Sequence, residues 1–404
     1  MLKDRTILHC DMNSFYASVE LLSHPEFAKM PVAVCGDPKS RHGIVLAKNE
    51  IAKAFGIVTA ETVYSARRKC PNLVLLAAHH EKYGLFSEKI NEIYNRFTDL
   101  VEPFSIDESW LDVTGSHDLF GSGEEIAYKI KATVREELGL TQSIGVSFNK
   151  IFAKMGSEYK KPDAVTVISR ENYQELLWPL PVGEMFTVGR STAKKLIEIG
   201  IRTIGDLARS DQRLLTQLFG KHGSQLYEYV NGLEDSAVQP AGSKRDMKSV
   251  GNGITFKRDL IGENDIRIAL DSLCDTVSGR LRKYGLKCEG VKVDIKDPDF
   301  KSISRQCKLL APTNLIATLR DAAMSLIQKN WNMNAPIRLI TVTAIHLVGE
   351  DVSEQMNFLD SAENSGGERN EKLERTVDEI REKYGSASIT RGRIIGNDIG
   401  IKEE

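Results

Sequence analysis

A chain of 404 residues, 41% hydrophobic and 27% charged, has the composition of a soluble globular protein and is too long for one ordinary core, so two to four domains are expected. A net charge of −2 excludes a uniformly basic surface, and any basic stripe has to be local. The six cysteines show no C-x-x-C spacing, which argues against a zinc site or a disulfide framework, and no apolar run approaches a membrane span or a signal peptide, so a cytoplasmic location is expected.

In chain order, Thr6–Cys10 reads as a short buried strand that ends on Asp11, just before the helix-like Phe15–Leu21. Pro31–Gly36 and Gly43–Ala47 read as two further strands, and Asn49 can cap a short helix through Phe55 that stops at Gly56. Between Tyr83 and Asp99, Leu85, Phe86, Ile90, Ile93, Tyr94 and Phe97 recur at helical spacing. Next comes Ser105-Ile106-Asp107-Glu108-Ser109, two adjacent carboxylates ahead of the strand-like Ser109–Val113. Neighbours on a straight strand face opposite ways, so both acids can serve one site only if the chain bends there, as in a hairpin turn. A helix over Glu124–Leu138, a strand over Ser143–Ser147, a third helix capped by Asn149 and a strand over Ala164–Ile168 complete an α/β pattern with helices packed on one face of the sheet. Asp11 then lies at one strand end, with Asp107 and Glu108 in the hairpin of its neighbours.

Beyond Arg170 the composition changes, and Trp178-Pro179-Leu180-Pro181 marks a boundary. Phe186–Leu196 and Gly200–Leu207 read as helix, tight turn and helix. A linker at 236–242 precedes a basic stretch, where Lys244, Arg245, Lys248, Lys257 and Arg258 are opposed only by Asp246. Alternation across Lys292–Lys296 and Leu339–Ala344 predicts a second sheet, with helices near Ile266–Tyr284 and Leu315–Lys329. From Gly349 to Arg369, Glu, Asp, Ser and Gly dominate, which predicts a mobile tail, although Leu373, Val377 and Ile380 regain helical spacing.

The run Cys10-Asp11-Met12-Asn13-Ser14-Phe15-Tyr16-Ala17-Ser18-Val19-Glu20, followed some ninety residues on by Ser105-Ile106-Asp107-Glu108, resembles the signature of the Y-family (translesion) DNA polymerases. Gly43–Ala47, Ala52–Gly56, Ser143–Lys150 and Lys160-Lys161-Pro162 add likenesses in the family's order, and with the downstream pattern the resemblance spans about Thr6 to Ile345. It implies a multidomain α/β (α+β) right-hand polymerase: palm at 1–10 and 76–168, small fingers at 11–75, a helix-hairpin-helix thumb at 169–235, a linker at 236–242, a little finger at 243–348 and a flexible tail at 349–404 that carries a clamp-binding-like peptide and a terminal helix. The implied activity is template-directed, low-fidelity addition of deoxynucleotides to a primer, by a monomer acting on primer-template DNA. Growing charge on the attacking and leaving oxygens suits two Mg²⁺ ions roughly 3.5–4 Å apart, held by hard carboxylate oxygens. By resemblance Asp11 and Asp107 bridge both ions, Glu108 holds the one that activates the primer hydroxyl, and the Met12 carbonyl completes the other.

The same likeness assigns Tyr16, beside Phe15, as the steric gate against ribonucleotides, and Lys53 and Lys161 to the triphosphate. Glu50 stands where the family often has Tyr, and Lys53 where it has Arg, a point charge in place of a bidentate fork. The thumb turn at Gly189 and Arg190 would hold a DNA phosphate on helix amides, with Thr187 in the place of the first glycine. The basic residues from Lys244 to Arg258 would follow the DNA backbone, giving affinity without sequence preference. Gln355-Met356-Asn357-Phe358-Leu359 resembles the peptide by which bacterial polymerases hold the sliding clamp, with Gln355, Met356, Phe358 and Leu359 as its contacts. Two rivals remain at this level: a non-catalytic DNA-binding accessory protein with a polymerase fold, which would normally have lost one of the three acids, and a nucleotide cyclase, which would not need the hairpin helices or the basic sheet.

Overall fold

Every residue of Ile7–Met12 (β1) is buried, as only a central strand covered on both faces can be. The computed structural model describes residues 4–36, 43–243, 246–350 and 364–401, and the chain divides into two units, Met1–Lys244 and Arg245–Glu404. In the first unit the strands that follow are β2 (Val32–Cys35), β3 (Val45–Lys48), β4 (Val74–Ala77), β5 (Val101–Pro103), β6 (Glu108–Asp112), β7 (Gln142–Ser147) and β8 (Val165–Ile168). They make a five-stranded sheet, β5-β6-β1-β7-β8, and a three-stranded sheet, β3-β2-β4. β1 is antiparallel to both β6 and β7, while β8 runs parallel to β7.

Leu8 and Cys10 face one side of the large sheet with Leu111, Ile144 and Val146, in a core shared with the helices Phe15–Ser23, His80–Tyr94 and Gly123–Leu138. Ile7 and Trp110 face the other side and pack on Ala153 of the helix Lys150–Tyr159. Helices on one face only is therefore corrected to helices on both. The reason lies at Gly145, where any side chain would collide with the Ala153 carbonyl and the Ser157 amide, so its absence lets the helix lie against the sheet. Asn149 starts that helix, its side chain accepting from the Phe152 amide at 2.7 Å. Within the amphipathic helix His80–Tyr94, Tyr83, Ile90 and Ile93 turn inward, but Leu85 is 59% exposed, a break in the expected apolar stripe.

The short helices from Tyr173 to Val230 close around Leu177, Val182, Leu196, Leu207, Leu215 and Leu226, and their core is continuous with Phe148 and Phe152. Thr187 adopts φ 74°, so the turn before the helix Arg190–Glu198 keeps the left-handed backbone that favours glycine.

In the second unit β9 (Ser249–Leu260), β10 (Leu286–Lys296), β11 (Ser302–Thr313) and β12 (Ile337–Gly349) form an antiparallel sheet in the order β11-β10-β12-β9. Val291, Val293, Ile340 and Val342 turn inward against the helices Gly262–Lys283 and Ile316–Asn330. The tail at 349–404, expected to be flexible with a terminal helix, holds that helix over its described part, but docked on the unit. The helix Asn364–Tyr384 sets Glu374 and Asp378 on the buried guanidinium of Arg282, at 2.5 and 2.6 Å. Glu374 also accepts from the Ile316 amide at 3.1 Å, and so caps a helix of the unit it covers. Beyond it Ile394, Ile399 and Ile401 enter the core, the Ile399 carbonyl accepts from the Lys257 amide at 2.8 Å, and Asn397 ties the turns of this end together through Ile394 and Ile401. Glu350, just past β12, donates its amide to the Gly285 carbonyl at 3.1 Å and accepts from Arg375 at 3.0 Å.

Candidate active site

Asp11 pairs across the ladder with Glu108, and residues directly opposite each other on neighbouring strands point to the same face. Strand pairing alone therefore brings these two acids together. The bend ahead of Glu108 is tight: the Phe104 and Ser105 amides both donate to its carbonyl, at 2.8 and 3.2 Å, and the Asp107 carbonyl accepts from the Met12 amide at 3.1 Å. The Asp107 carboxylate takes the Ser105 hydroxyl at 2.7 Å.

Onto that face the helix Lys150–Tyr159 delivers Lys154, Ser157 and Glu158, none of them singled out from the sequence. One carboxylate oxygen from each of Asp11, Glu108 and Glu158 lies within 4.8 Å of the other two, so the group that could hold a cation contains Glu158, and the Asp107 carboxylate stands outside it. Lys154 reaches Asp11 at 3.1 Å, Glu108 at 3.0 Å and Glu158 at 3.0 Å, and Lys161 reaches Asp11 at 2.7 Å and Glu158 at 2.9 Å. The missed signal was the i,i+4 spacing of Lys154 and Glu158 on a helix that sequence periodicity had placed but not oriented.

Burial raises the pKa of Asp11 to about 7, although Lys154 and Lys161 pull against it. A divalent cation there would favour the ionised form, as any nearby positive charge does. Burial also works to raise Glu108, but the facing His9 imidazole and the charge of Lys154 outweigh it and hold the carboxyl low. The Glu108 Oε2 atom is buried without a hydrogen-bond partner of good geometry, and hard oxygens clustered in this way suit a hard divalent cation.

A cleft of about 450 Å³ opens over these acids, lined also by Met12, Phe15, Lys48, Glu50, Lys53, Asp107 and Lys161. Phe15 is buried in its wall, whereas Tyr16 lies outside that lining, its ring stacked on Tyr83 with centroids 4.0 Å apart. Lys53 is held by Glu50 at 3.5 Å, and the Ser14 hydroxyl approaches the same carboxylate at 3.4 Å. Gly189 caps the helix Arg190–Glu198 with extended backbone, and Arg190 is exposed. Lys248 and Lys257 are exposed too. Arg258 is not free, because its guanidinium is taken by Asp265 at 2.6 Å and Asp398 at 2.7 Å. The expectations at Lys244, Arg245, Gln355, Met356, Phe358 and Leu359 lie outside the described residues.

Comparison with known proteins accounts for this assembly. Residues 10–158 match the impB/mucB/samB family, residues 247–358 its C-terminal domain, and residues 184–234 the thumb domain of DNA polymerase-iota. DNA polymerase IV of Acetivibrio thermocellus is 43% identical over 98% of this chain and 99% of its own length. The chain belongs to the Y-family DNA polymerases. DNA polymerase IV of Clostridium kluyveri is 37% identical over 97% of this chain and 98% of that relative. A solved Y-family DNA polymerase chimera has the same fold, with a TM-score of 0.75 at 24% identity over 85% of this chain and 99% of the chimera. As a Y-family enzyme the chain is a translesion DNA polymerase with the family's right-hand fold, acts on DNA and nucleotides, and uses a divalent metal. Among the described residues no helix is long and apolar enough to cross a membrane.

Proposed function

We propose that this translesion DNA polymerase extends a primer strand at the cleft over Asp11, with Asp11, Asp107, Glu108 and the Met12 carbonyl holding two Mg²⁺ ions. The observation that carries the assignment is the pairing of Asp11 with Glu108 in one register at the floor of a cleft ringed by lysines. Mg²⁺ supplies charge stabilisation to the attacking and leaving oxygens of an in-line phosphoryl transfer. The protein's own residues do the rest by position. The turn at 104–107 aims Asp107 and Glu108 from adjacent positions, and Lys53 and Lys161 meet the triphosphate as point charges. Glu158 holds Lys154 and Lys161 in place over the carboxylates.

Tyr16 closes the sugar side against a 2′-hydroxyl, with Phe15 beneath it. Gly189 and Arg190 of the thumb, with Lys244 and, in the second unit, Arg245, Lys248 and Lys257, contact backbone phosphates and carry no sequence preference. Arg258 drops out of that set, being already engaged by two aspartates. The enzyme works as a cytoplasmic monomer that gains processivity by lending Gln355, Met356, Phe358 and Leu359 to a groove on the sliding clamp.

The test is primer extension on a labelled duplex by the wild type, Asp107→Ala and Glu108→Ala, with DNA affinity measured alongside. Both variants should lose extension and keep their affinity for DNA, because a lost ligand dismantles the metal site and not the phosphate contacts. Substantial residual synthesis by either would sink the assignment.

A further inference from the structure

His9 lies two residues before Asp11 on β1, is fully buried, and has no part in the mechanism above. Its ring stands edge-on to Trp110, with centroids 5.4 Å apart. Nδ1 is 2.8 Å from the Ser157 hydroxyl, and Nε2 faces Glu108 Oε2 at 3.4 Å. Those two facing atoms, His9 Nε2 and Glu108 Oε2, are both buried without a hydrogen-bond partner of good geometry.

A neutral imidazole carries one N–H, and two arrangements are open to it. With the proton on Nδ1, Ser157 accepts it, and a ring lone pair is left facing a carboxylate oxygen inside the protein. That juxtaposes two acceptors where an unpaired polar group is costly. With the proton on Nε2, the ring donates toward Glu108, and Ser157 supplies the other end. Its hydroxyl lies 2.8 Å from the Lys154 carbonyl and 2.8 Å from Nδ1, so one rotation of the O–H moves its donation from the first to the second.

We propose that His9, with its N–H on Nε2 and its Nδ1 held by the Ser157 hydroxyl, is a positioning residue that fixes the Glu108 carboxylate for divalent-cation binding. Lys154 reaches the same oxygen, but it is shared with Asp11 and Glu158 and its flexible ammonium sets no direction. The imidazole is rigid, packed against Trp110, and anchored from behind by a helix that Gly145 lets approach the sheet. Donors behind ligating carboxylates tune metal affinity, commonly by about 10–100-fold.

The inference rests on Glu108 being a cation ligand, and the experiment separates the two. Mn²⁺ binding to the full chain is followed by electron paramagnetic resonance for the wild type, Glu108→Gln, His9→Leu, His9→Gln and His9→Asn, with thermal melts and primer-template affinity for each. Glu108→Gln should weaken Mn²⁺ binding, and His9→Leu should weaken it by about tenfold with DNA affinity unchanged. Gln places its amide nitrogen where Nε2 sits and should restore most of the loss, and kcat should follow. Asn reaches only the Nδ1 position and should not restore it. Wild-type Mn²⁺ affinity in His9→Leu, or equal affinities in His9→Gln and His9→Asn, overturns the positioning role while leaving Glu108 a ligand. Unchanged binding in Glu108→Gln overturns the ligand assignment and the inference with it. Should His9→Leu fail to fold, the Gln and Asn pair decides alone.

Discussion

Tyr16 shows how a single ring can be set from behind. It stacks on Tyr83, whose hydroxyl donates to the buried Glu20 at 2.6 Å, and Glu20 in turn faces His79 and Lys82. The orientation of the Tyr16 ring, the proposed gate, is therefore set by a polar cluster away from the cleft. Tyr16→Ala should raise ribonucleotide incorporation far more than it lowers deoxynucleotide incorporation, measured as the ratio of the two kcat/KM values. If that ratio stays at the wild-type value, Phe15, which lines the cleft itself, becomes the residue to change. Melts belong beside the kinetics, since deleting a packed aromatic ring costs up to about 3–5 kcal/mol. At this scale the sequence was informative where local chain geometry decides the outcome. Asp11 and Glu108 were legible because a strand end and a turn lie close by pairing, whereas His9, Lys154 and Glu158 were not, since their relation to the acids depends on which face of the sheet a helix covers.

Two helix dockings, one in each unit, can each be broken by one substitution. Gly145→Ala should push the helix Lys150–Tyr159 off the sheet, because the added methyl meets backbone atoms that cannot swing aside. Overpacking of this kind costs about 1–3 kcal/mol, and extension activity should fall further than stability does, as Lys154 and Glu158 shift together. A variant with wild-type melting temperature and activity would show that the helix tolerates a wider spacing. The second docking is that of the helix Asn364–Tyr384, whose hold is the 3% exposed side chain of Arg282. Arg282→Met leaves Glu374 and Asp378 facing an apolar neighbour, and breaking a buried pair on one side costs about 3–5 kcal/mol. Urea unfolding should show that loss, and Arg282→Met with Glu374→Gln should lose less than the two single changes added together. Neither this docking nor β11 could be read from the chain. Ile394, Ile399 and Ile401 lie among Gly, Asn and Asp without a sustained period, and β11 is an edge strand whose inward positions Ile303, Cys307 and Leu309 are only partly buried and interrupted by Arg305, so its apolar face is weak.

For the molecule as a whole, the proposed clamp attachment can be tested directly. Extension on primed circular DNA with clamp and loader should be stimulated for the wild type, and the stimulation should be lost in Gln355→Ala and in the double variant Phe358→Ala, Leu359→Ala. Equal stimulation of all three would remove the clamp assignment. What the tail packing adds concerns force. Glu350 at the end of β12 is bonded to Gly285 and to Arg375, and Arg375 belongs to the helix that begins at Asn364. The chain therefore leaves β12 and enters the docked helix at two points that Glu350 and Arg375 tie to each other. A pull arriving at the start of that helix is then shared between a sheet and a docked helix, where a free helix end would pass all of it to one. Load reaching the tail would leave the terminal helix docked while the Glu350–Arg375 pair stays shut.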